Sequence, residues 1–454
     1  MNQSNASIDT YLNKLFPICR SLTGQGNIQT FEILSDLVPG LKIHSIPSGT
    51  HIFDWQIPPE WNVVDAFIIN NLGEKIVSFS ENNLHLMSYS SPFSGTLTKD
   101  EFLEHVYTLP DHPDWIPYRT TYYSRKWGFC LPTSLLESDK FTGPFSVLID
   151  TQLDPNGQFN YATAYKQGVS KDEILISTYC CHPSLANDNL SGLLTASLLF
   201  NELSKKDTRF SYSLAIVPET IGALAYLKEQ NTENVKGAIQ VTCTGGPDIL
   251  SIKHSFDSDS WIDKIASSII NEYTQGDYID YPFVPSGSDE RQYSSPGFRI
   301  PTISYHKSKY HDYPQYHTSA DNLDFISSNN ISICLELYLQ LIDALDSYCI
   351  PNRLNPCGEY FLGKRGLYPN VGGSLKQPTC SVSSGPLDST SLIHEGDIQL
   401  THDHMDAFYW VMHCADGSYS NIDIARRSEL PLKLINDVIS LFLRNNLLEL
   451  CPSF

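Results

Sequence analysis

No stretch of this 454-residue chain is apolar for long enough to cross a bilayer, which argues against a transmembrane helix. Its start, Met1-Asn2-Gln3-Ser4-Asn5-Ala6-Ser7, lacks a basic segment followed by an apolar core, so no secretory leader is expected. Basic residues are scarce, with 30 Lys and Arg against 51 Asp and Glu, a net charge of -21. Such a surface repels phosphate backbones and anionic lipid, so neither nucleic acid nor a membrane is the expected partner. No pair among the eleven cysteines has C-x-x-C spacing, and the odd count together with the adjacent Cys180-Cys181 gives no disulfide framework. Reduced, buried thiols in a cytoplasmic setting are the simplest expectation. Internal repeats and low-complexity tracts are also missing. What remains is an ordinary globular composition, 41% hydrophobic and 18% charged, in a chain long enough for two or three domains.

Residues 8 to 37 read as helices broken near Gly24-Gln25-Gly26, with apolar positions at helical spacing. From 55 to 153 short strand-like pieces rich in Tyr, Pro and Ser suggest an inserted β-rich domain. On either side, 1–54 and 154–350 are expected to form the main domain. There, apolar strands such as Glu173 to Tyr179 and Ser211 to Val217 alternate with helices, which predicts a mostly parallel sheet with helices on both faces. Ligands in such α/β sheets gather at the carboxyl ends of the strands. Residues 351 to 395, with Pro369, Gly372, Gly373 and Pro386, read as a linker or arm. Residues 396 to 454 have winged-helix texture, but the helix from Leu432 to Asn445 carries only Lys433 and Arg444 as basic residues, too few for a DNA reader.

Three connections at one sheet edge carry ligand-type side chains. His182 follows the strand ending at Tyr179, and Asp188 stands where the next helix begins. His317 follows the last strand. Imidazole nitrogen and carboxylate oxygen are the donors zinc prefers. Glu219, just past the strand ending at Val217, could take a proton from a zinc-activated water. Each residue also has a bland reading: a helix cap for Asp188, a hydrogen-bonded loop histidine for His182, a solvated strand end for Glu219. Their convergence on one rim is what separate bland readings fail to predict. Asp321 could orient His317 or cap a helix. Asp289 and Arg291, in the polar loop 286–293, could bind substrate or support the metal site. His306, His311 and the His402-Asp403-His404 run are not expected to be ligands.

The motifs His182-Pro183-Ser184-x-Ala186-Asn187-Asp188-Asn189-x-Ser191-Gly192, Pro218-Glu219-x-x-Gly222 and Tyr316-His317-Thr318-Ser319-Ala320-Asp321-Asn322 resemble the co-catalytic zinc aminopeptidases, related to glutaminyl cyclases. More closely, the chain resembles bacterial aminopeptidase-like proteins with an inserted β-rich domain and a C-terminal winged helix. Trp127-Gly128-Phe129-Cys130 and the stretch from Cys357 to Pro369 carry that closer likeness.

The resemblance implies that His182 and His317 bind metal, that Asp188 bridges two metals in typical members, and that Glu219 is the general base. Two departures stand out. Thr220 occupies the place of a second, metal-binding Glu, and Thr242-Cys243-Thr244 occupies the region of an Asp ligand. A single zinc on His182, Asp188 and His317 is therefore the expectation, with a second left open and Glu219 available as a fourth ligand. The implied activity is hydrolysis of an amide bond near a free amino group in a small peptide-like substrate. The alternatives are an amidohydrolase acting on an amino-sugar-like or otherwise modified amine, and a degenerate binding or assembly module. A homo-oligomer is left open.

Overall fold

The computed structural model describes residues 2–365, 367, 393–395, 398–400 and 402–452. The chain divides into two compact units, Met1–Ile342 and Asp343–Phe454. The Pro-, Gly- and Ser-rich stretch from Pro369 to Pro386 lies outside the described residues.

In the first unit, helices α1 (Asn2–Leu15) and α2 (Gln25–Leu34) precede strand β1 (Lys42–Pro47). Four strands of the β-rich stretch follow: β2 (Glu60–Ile69), β3 (Lys75–Ser78), β4 (Phe93–Leu97) and β5 (Phe145–Asp154). They form their own antiparallel sheet in the order β3-β2-β5-β4. Buried residues of this sheet, such as Ile68, Phe145 and Val147, run into one apolar cluster with Phe159, Leu175 and Val217 of the main sheet.

The main sheet continues with β6 (Gln158–Lys166), β7 (Glu173–Tyr179), helix α3 (Gly192–Ser204), β8 (Ser211–Val217), α4 (Ile221–Glu229) and β9 (Val235–Gln240). Next come β10 (Leu250–Lys253), α5 (Trp261–Thr274), β11 (Ile279–Tyr281), α6 (Glu290–Tyr293) and β12 (Thr302–Lys307), before the closing helix α7 (Ser328–Asp346). The eight strands are ordered β1-β6-β8-β7-β9-β12-β10-β11. The sheet is mixed: β8, β7, β9 and β12 are parallel neighbours, whereas β1, β6 and β10 pair antiparallel at the flanks. Every residue of β7 and β8 is buried, so both sheet faces are covered. Apolar runs such as Ile174-Leu175-Ile176 are what such doubly buried strands require.

The strand order positions the site. After β7 the chain moves to β8 on one side, then crosses to β9 on the other, which makes the carboxyl end of β7 a topological switch point. With right-handed connections the intervening helices fall on opposite faces and leave a crevice between the loops.

The second unit pairs β13 (Ile350–Arg353) with β14 (Leu448–Cys451). Between them lie α8 (His402–Cys414), α9 (Asn421–Ser428) and α10 (Leu432–Arg444). In α10 Leu432, Ile435, Val438, Ile439 and Phe442 are buried, the i, i+3, i+4 stripe of an amphipathic helix. His402 and Asp403 open α8, and their side chains lie outside the described residues.

Candidate metal centre

The loop after β7 carries His182 and Asp188, the loop after β8 carries Glu219, and the segment after β12 carries His317. These parallel strands end at one edge, so side chains far apart in sequence meet there. His182, Asp188 and His317 each offer a ligand atom, and the three atoms lie within 4.8 Å of one another. His317 Nε2 is 2.9 Å from Asp188 Oδ2, and His182 Nε2 is 3.9 Å from the same oxygen. The two imidazole rings are 5.2 Å apart. Asp188 Oδ2 and His317 Nε2 are buried and have no hydrogen-bond partner among the described residues. Buried polar atoms are nearly always paired, so two orphans facing each other mark a place built for another atom. Two imidazoles and one carboxylate oxygen fit zinc.

The helix-cap reading of Asp188 does not hold, whereas the His182 ring does make a hydrogen-bond contact, between Nδ1 and Cys181 Sγ at 3.5 Å. The Asp188 side chain caps no helix: α3 begins at Gly192 with no side-chain cap, and Asp188 sits in the preceding turn with non-helical φ −110°, ψ 85°. Burial pushes His182 down to about 4, against the pull of Asp188, so its ring is neutral and has a free lone pair. Burial alone would raise Asp188, but His182, His317 and the Tyr179 hydroxyl outweigh it and hold the carboxyl at about 2.

Asp321 does not touch His317 through its carboxylate. Oδ1 accepts the Asn187 N–H at 2.6 Å, while Oδ2 accepts the Asp188 N–H at 3.0 Å and the Tyr313 hydroxyl at 3.1 Å. It thus fixes the backbone that presents Asp188. Burial, with Asp188 close by, raises Asp321 to about 7 despite those bonds.

Glu219 Oε2 stands 4.0 Å from His182 Nε2. Burial, then Asp289 and Asp188, push Glu219 well above the usual carboxylate range, and Arg291 opposes them. Asp289 and Arg291 both reach Thr220, the neighbour of Glu219. Asp289 Oδ1 accepts the Thr220 N–H at 2.7 Å, and Arg291 donates to the Thr220 hydroxyl at 2.8 Å. They therefore brace the Glu219 turn from behind. Asp289 Oδ2 and Arg291 Nε are buried without hydrogen-bond partners among the described residues.

Several contributors had no role assigned from the sequence, although Asn187 and Asn189 flank Asp188 in its motif and Tyr316 precedes His317. Asn187 Oδ1 accepts the N–H groups of Gly245 and Gly246 at 2.9 and 3.1 Å, and its amide donates to Ser308 O at 2.9 Å. Asn189 bonds Tyr179 O at 3.0 Å and accepts the Cys243 N–H at 3.2 Å. Asp188 is thereby held between two asparagines that tie the ends of β7, β9 and β12 together. From the β-rich stretch, Tyr118 stacks obliquely on His182 and edge-on to His317, at ring distances of 5.3 and 5.1 Å. Its N–H donates to His317 O at 2.8 Å, so the β-rich stretch walls the centre. Tyr316 stacks on the His317 ring at 3.9 Å.

Backbone strain collects at the same place. Ser184, Thr220, Cys243, Ser308 and His317 all have φ between 43° and 67° without being glycine. Each costs on the order of 1 kcal/mol and persists only because the surroundings over-determine it. His306 is buried but lies outside the cluster of ligand atoms, as does His311, whose ring packs 4.7 Å from Tyr316.

The fold is that of the aminopeptidase-like α/β proteins. The fold is shared with a zinc aminopeptidase from Bacillus subtilis (TM-score 0.54, 11% identity, 75% of this chain and 93% of that one). It is shared too with a peptidase M28 precursor from Shewanella amazonensis (TM-score 0.51, 14% identity, 76% and 95%).

The chain belongs to the family described as Domain of unknown function (DUF4910), which matches residues 9–348. A relative from Clostridium acetobutylicum is 37% identical over 451 residues, 99% of this chain and 97% of its own. It is provisionally named a polysaccharide biosynthesis protein with aminopeptidase-like domain. A crystal structure from the same organism, provisionally named a peptidase, superposes with TM-score 0.85 at 35% identity over 99% of this chain and 97% of that one.

Proposed function

We propose that this chain is a zinc-dependent, aminopeptidase-like hydrolase that cleaves an amide bond near a free amino group. The observation that carries this reading is the meeting of His182, Asp188 and His317 around two buried, unpartnered ligand atoms, with Glu219 alongside. A zinc ion held by those three residues would supply Lewis acidity, polarising a carbonyl and making water easier to deprotonate. Glu219 takes the water proton and returns it to the departing amine. Its raised proton affinity, from burial and from Asp289 and Asp188, suits a base that must also act as an acid. Asp289 and Arg291 hold the turn that aims it, and Tyr118 and Tyr316 shield the imidazoles from solvent.

A second reading keeps the chemistry and changes the substrate to an acylated amino sugar. The name of the Clostridium relative, which points to polysaccharide biosynthesis, favours it. Zinc-loaded protein assayed against aminoacyl amides and N-acylated amino sugars separates the two. Glu219→Gln should lower turnover of whichever is cleaved by about a hundred- to ten-thousandfold while bound zinc stays the same. Undiminished activity in that variant would refute the general-base role. No zinc and no turnover in the wild-type protein would leave a degenerate binding module as the reading.

A further inference from the structure

Asp188 shows its two oxygens to different neighbours. Oδ1 accepts a hydrogen bond from the hydroxyl of Tyr179, the last residue of β7. That hydroxyl also lies 2.8 Å from Thr242 Oγ1. A phenol has one proton and an ionised carboxylate can only accept, so Tyr179 donates to Asp188 and Thr242 donates to Tyr179. Tyr179 is 3% exposed, so no solvent competes for this contact. Oδ2 faces the other way, toward His317 and His182.

Among the described residues, the groups of ligand atoms that include Asp188 bring in His182 and His317 and no second carboxylate. Thr220 is engaged by Asp289 and Arg291, and Thr242 and Cys243 follow β9. Near His182, Cys181 is the remaining ligand-type side chain in reach with Glu219. Its sulfur already accepts the Glu219 N–H at 3.2 Å and lies 3.5 Å from His182 Nδ1. A carboxylate that bridges two ions through its two oxygens needs further ligands beside each oxygen, and on the Oδ1 side of Asp188 stands the Tyr179 hydroxyl, whereas its ligand-type neighbours His182 and His317 lie toward Oδ2.

From this geometry we propose that the Tyr179 hydroxyl withdraws Asp188 Oδ1 from metal binding, so that the centre takes one zinc per chain, and that it turns Oδ2 toward the two imidazoles. The assignment rests on the zinc reading above. Tyr179 is a positioning residue, acting on the ion through Asp188, and Thr242 supports it in turn. Partners of this kind around zinc ligands commonly control about ten- to hundredfold in affinity.

The experiment is zinc titration of the full-length chain and of Tyr179→Phe, with bound metal per chain measured by plasma mass spectrometry and affinity by chelator competition. The wild-type chain should saturate at one zinc. Tyr179→Phe should bind zinc about ten- to hundredfold more weakly. The thermal midpoint of each zinc-free protein is measured alongside, because a merely structural role would lower that midpoint and leave affinity unmoved. Two zinc ions per wild-type chain would overturn the assignment, as would unchanged affinity in Tyr179→Phe. No zinc in the wild-type chain would overturn the zinc reading itself, and this one with it. Should Tyr179→Phe not fold, Thr242→Val tests the same contact from the next residue out: a severalfold loss of affinity is expected, and none would count against the proposal.

Discussion

Asp188 Oδ2 and His317 Nε2 lie 2.9 Å apart, both buried, yet the pair lacks the geometry of a hydrogen bond. Neither atom has a hydrogen-bond partner among the described residues. Such an arrangement leaves two desolvated groups uncompensated, at about 1–3 kcal/mol each, and a cation between them reverses that cost. Zinc should therefore stabilise the fold. At a free concentration a hundredfold above the dissociation constant the gain is about 2.7 kcal/mol. The expected result in thermal denaturation is a zinc-dependent upward shift in the wild-type midpoint that is lost in His317→Ala, with the zinc-free midpoints of the two proteins close together. An equal shift in both proteins would remove His317 from the ligand set.

Much of this centre was legible in the sequence because strand ends are. The apolar runs closing at Tyr179 and Val217 located the rim, and polar residues just beyond a doubly buried strand have few other places to go. The alternation of strands and helices likewise announced the α/β sheet. The antiparallel flanks were less visible, since a buried run such as Phe159 to Ala164 reads alike in either direction. Tyr179 was hidden for a related reason: an aromatic at the end of an apolar strand looks like core until its hydroxyl is seen reaching Asp188. Tyr118 had no local signal at all. Its role arises from a long-range bridge, in which Pro117 pairs with Thr318 and Tyr118 with His317.

Asp321 tests whether the centre is preorganised. Its carboxylate accepts from two backbone N–H groups and from Tyr313, all in a buried setting. Asp321→Ala would strand these donors, and leaving buried donors unmet costs about 1–3 kcal/mol apiece. Urea unfolding should show a loss of several kcal/mol, and zinc affinity should fall because the Asp188 backbone is no longer fixed. Asp321→Asn, which keeps one acceptor oxygen, should fall between the two. If Asp321→Ala matched the wild type in both measurements, the carboxylate would not be the anchor of this turn.

Gly192 tests how closely α3 must approach the strand ends. A Cβ added there would stand 2.1 Å from Asn189 Oδ1, 2.6 Å from Thr242 Cα and 2.8 Å from Val241 O. Two of those atoms belong to backbone and cannot swing away. Gly192→Ala should therefore cost about 1–3 kcal/mol through overpacking, against the usual gain in helix propensity from Gly to Ala. The displaced Asn189 would also loosen Asp188, so zinc binding should weaken along with the fold. A variant as stable as the wild type would mean that the helix start has room to move.

His254 offers a pH test away from the centre. Its Nδ1 lies 3.1 Å from Asp263 Oδ1, and its Nε2 lies 2.9 Å from Asp280 Oδ1. The Asp263 hydrogen bond, more than Asp280, raises the imidazole above its ordinary 6.5, against the effect of burial. A raised value in the folded state means the stabilisation is complete below 6.5 and is lost as pH climbs through the folded value. For Asp263, burial pushes upward, but His254, Ser255 and Ser260 together hold it below its ordinary 3.8, so its share is lost as pH falls through that lower range. The pair therefore contributes most between the two ordinary values. His254→Gln should lower the melting midpoint more at about pH 5.5, where the stabilisation from the charged ring is complete, than at about pH 8.5, after pH has risen toward or through the raised folded value. A constant gap across that range would show that His254 acts through packing alone.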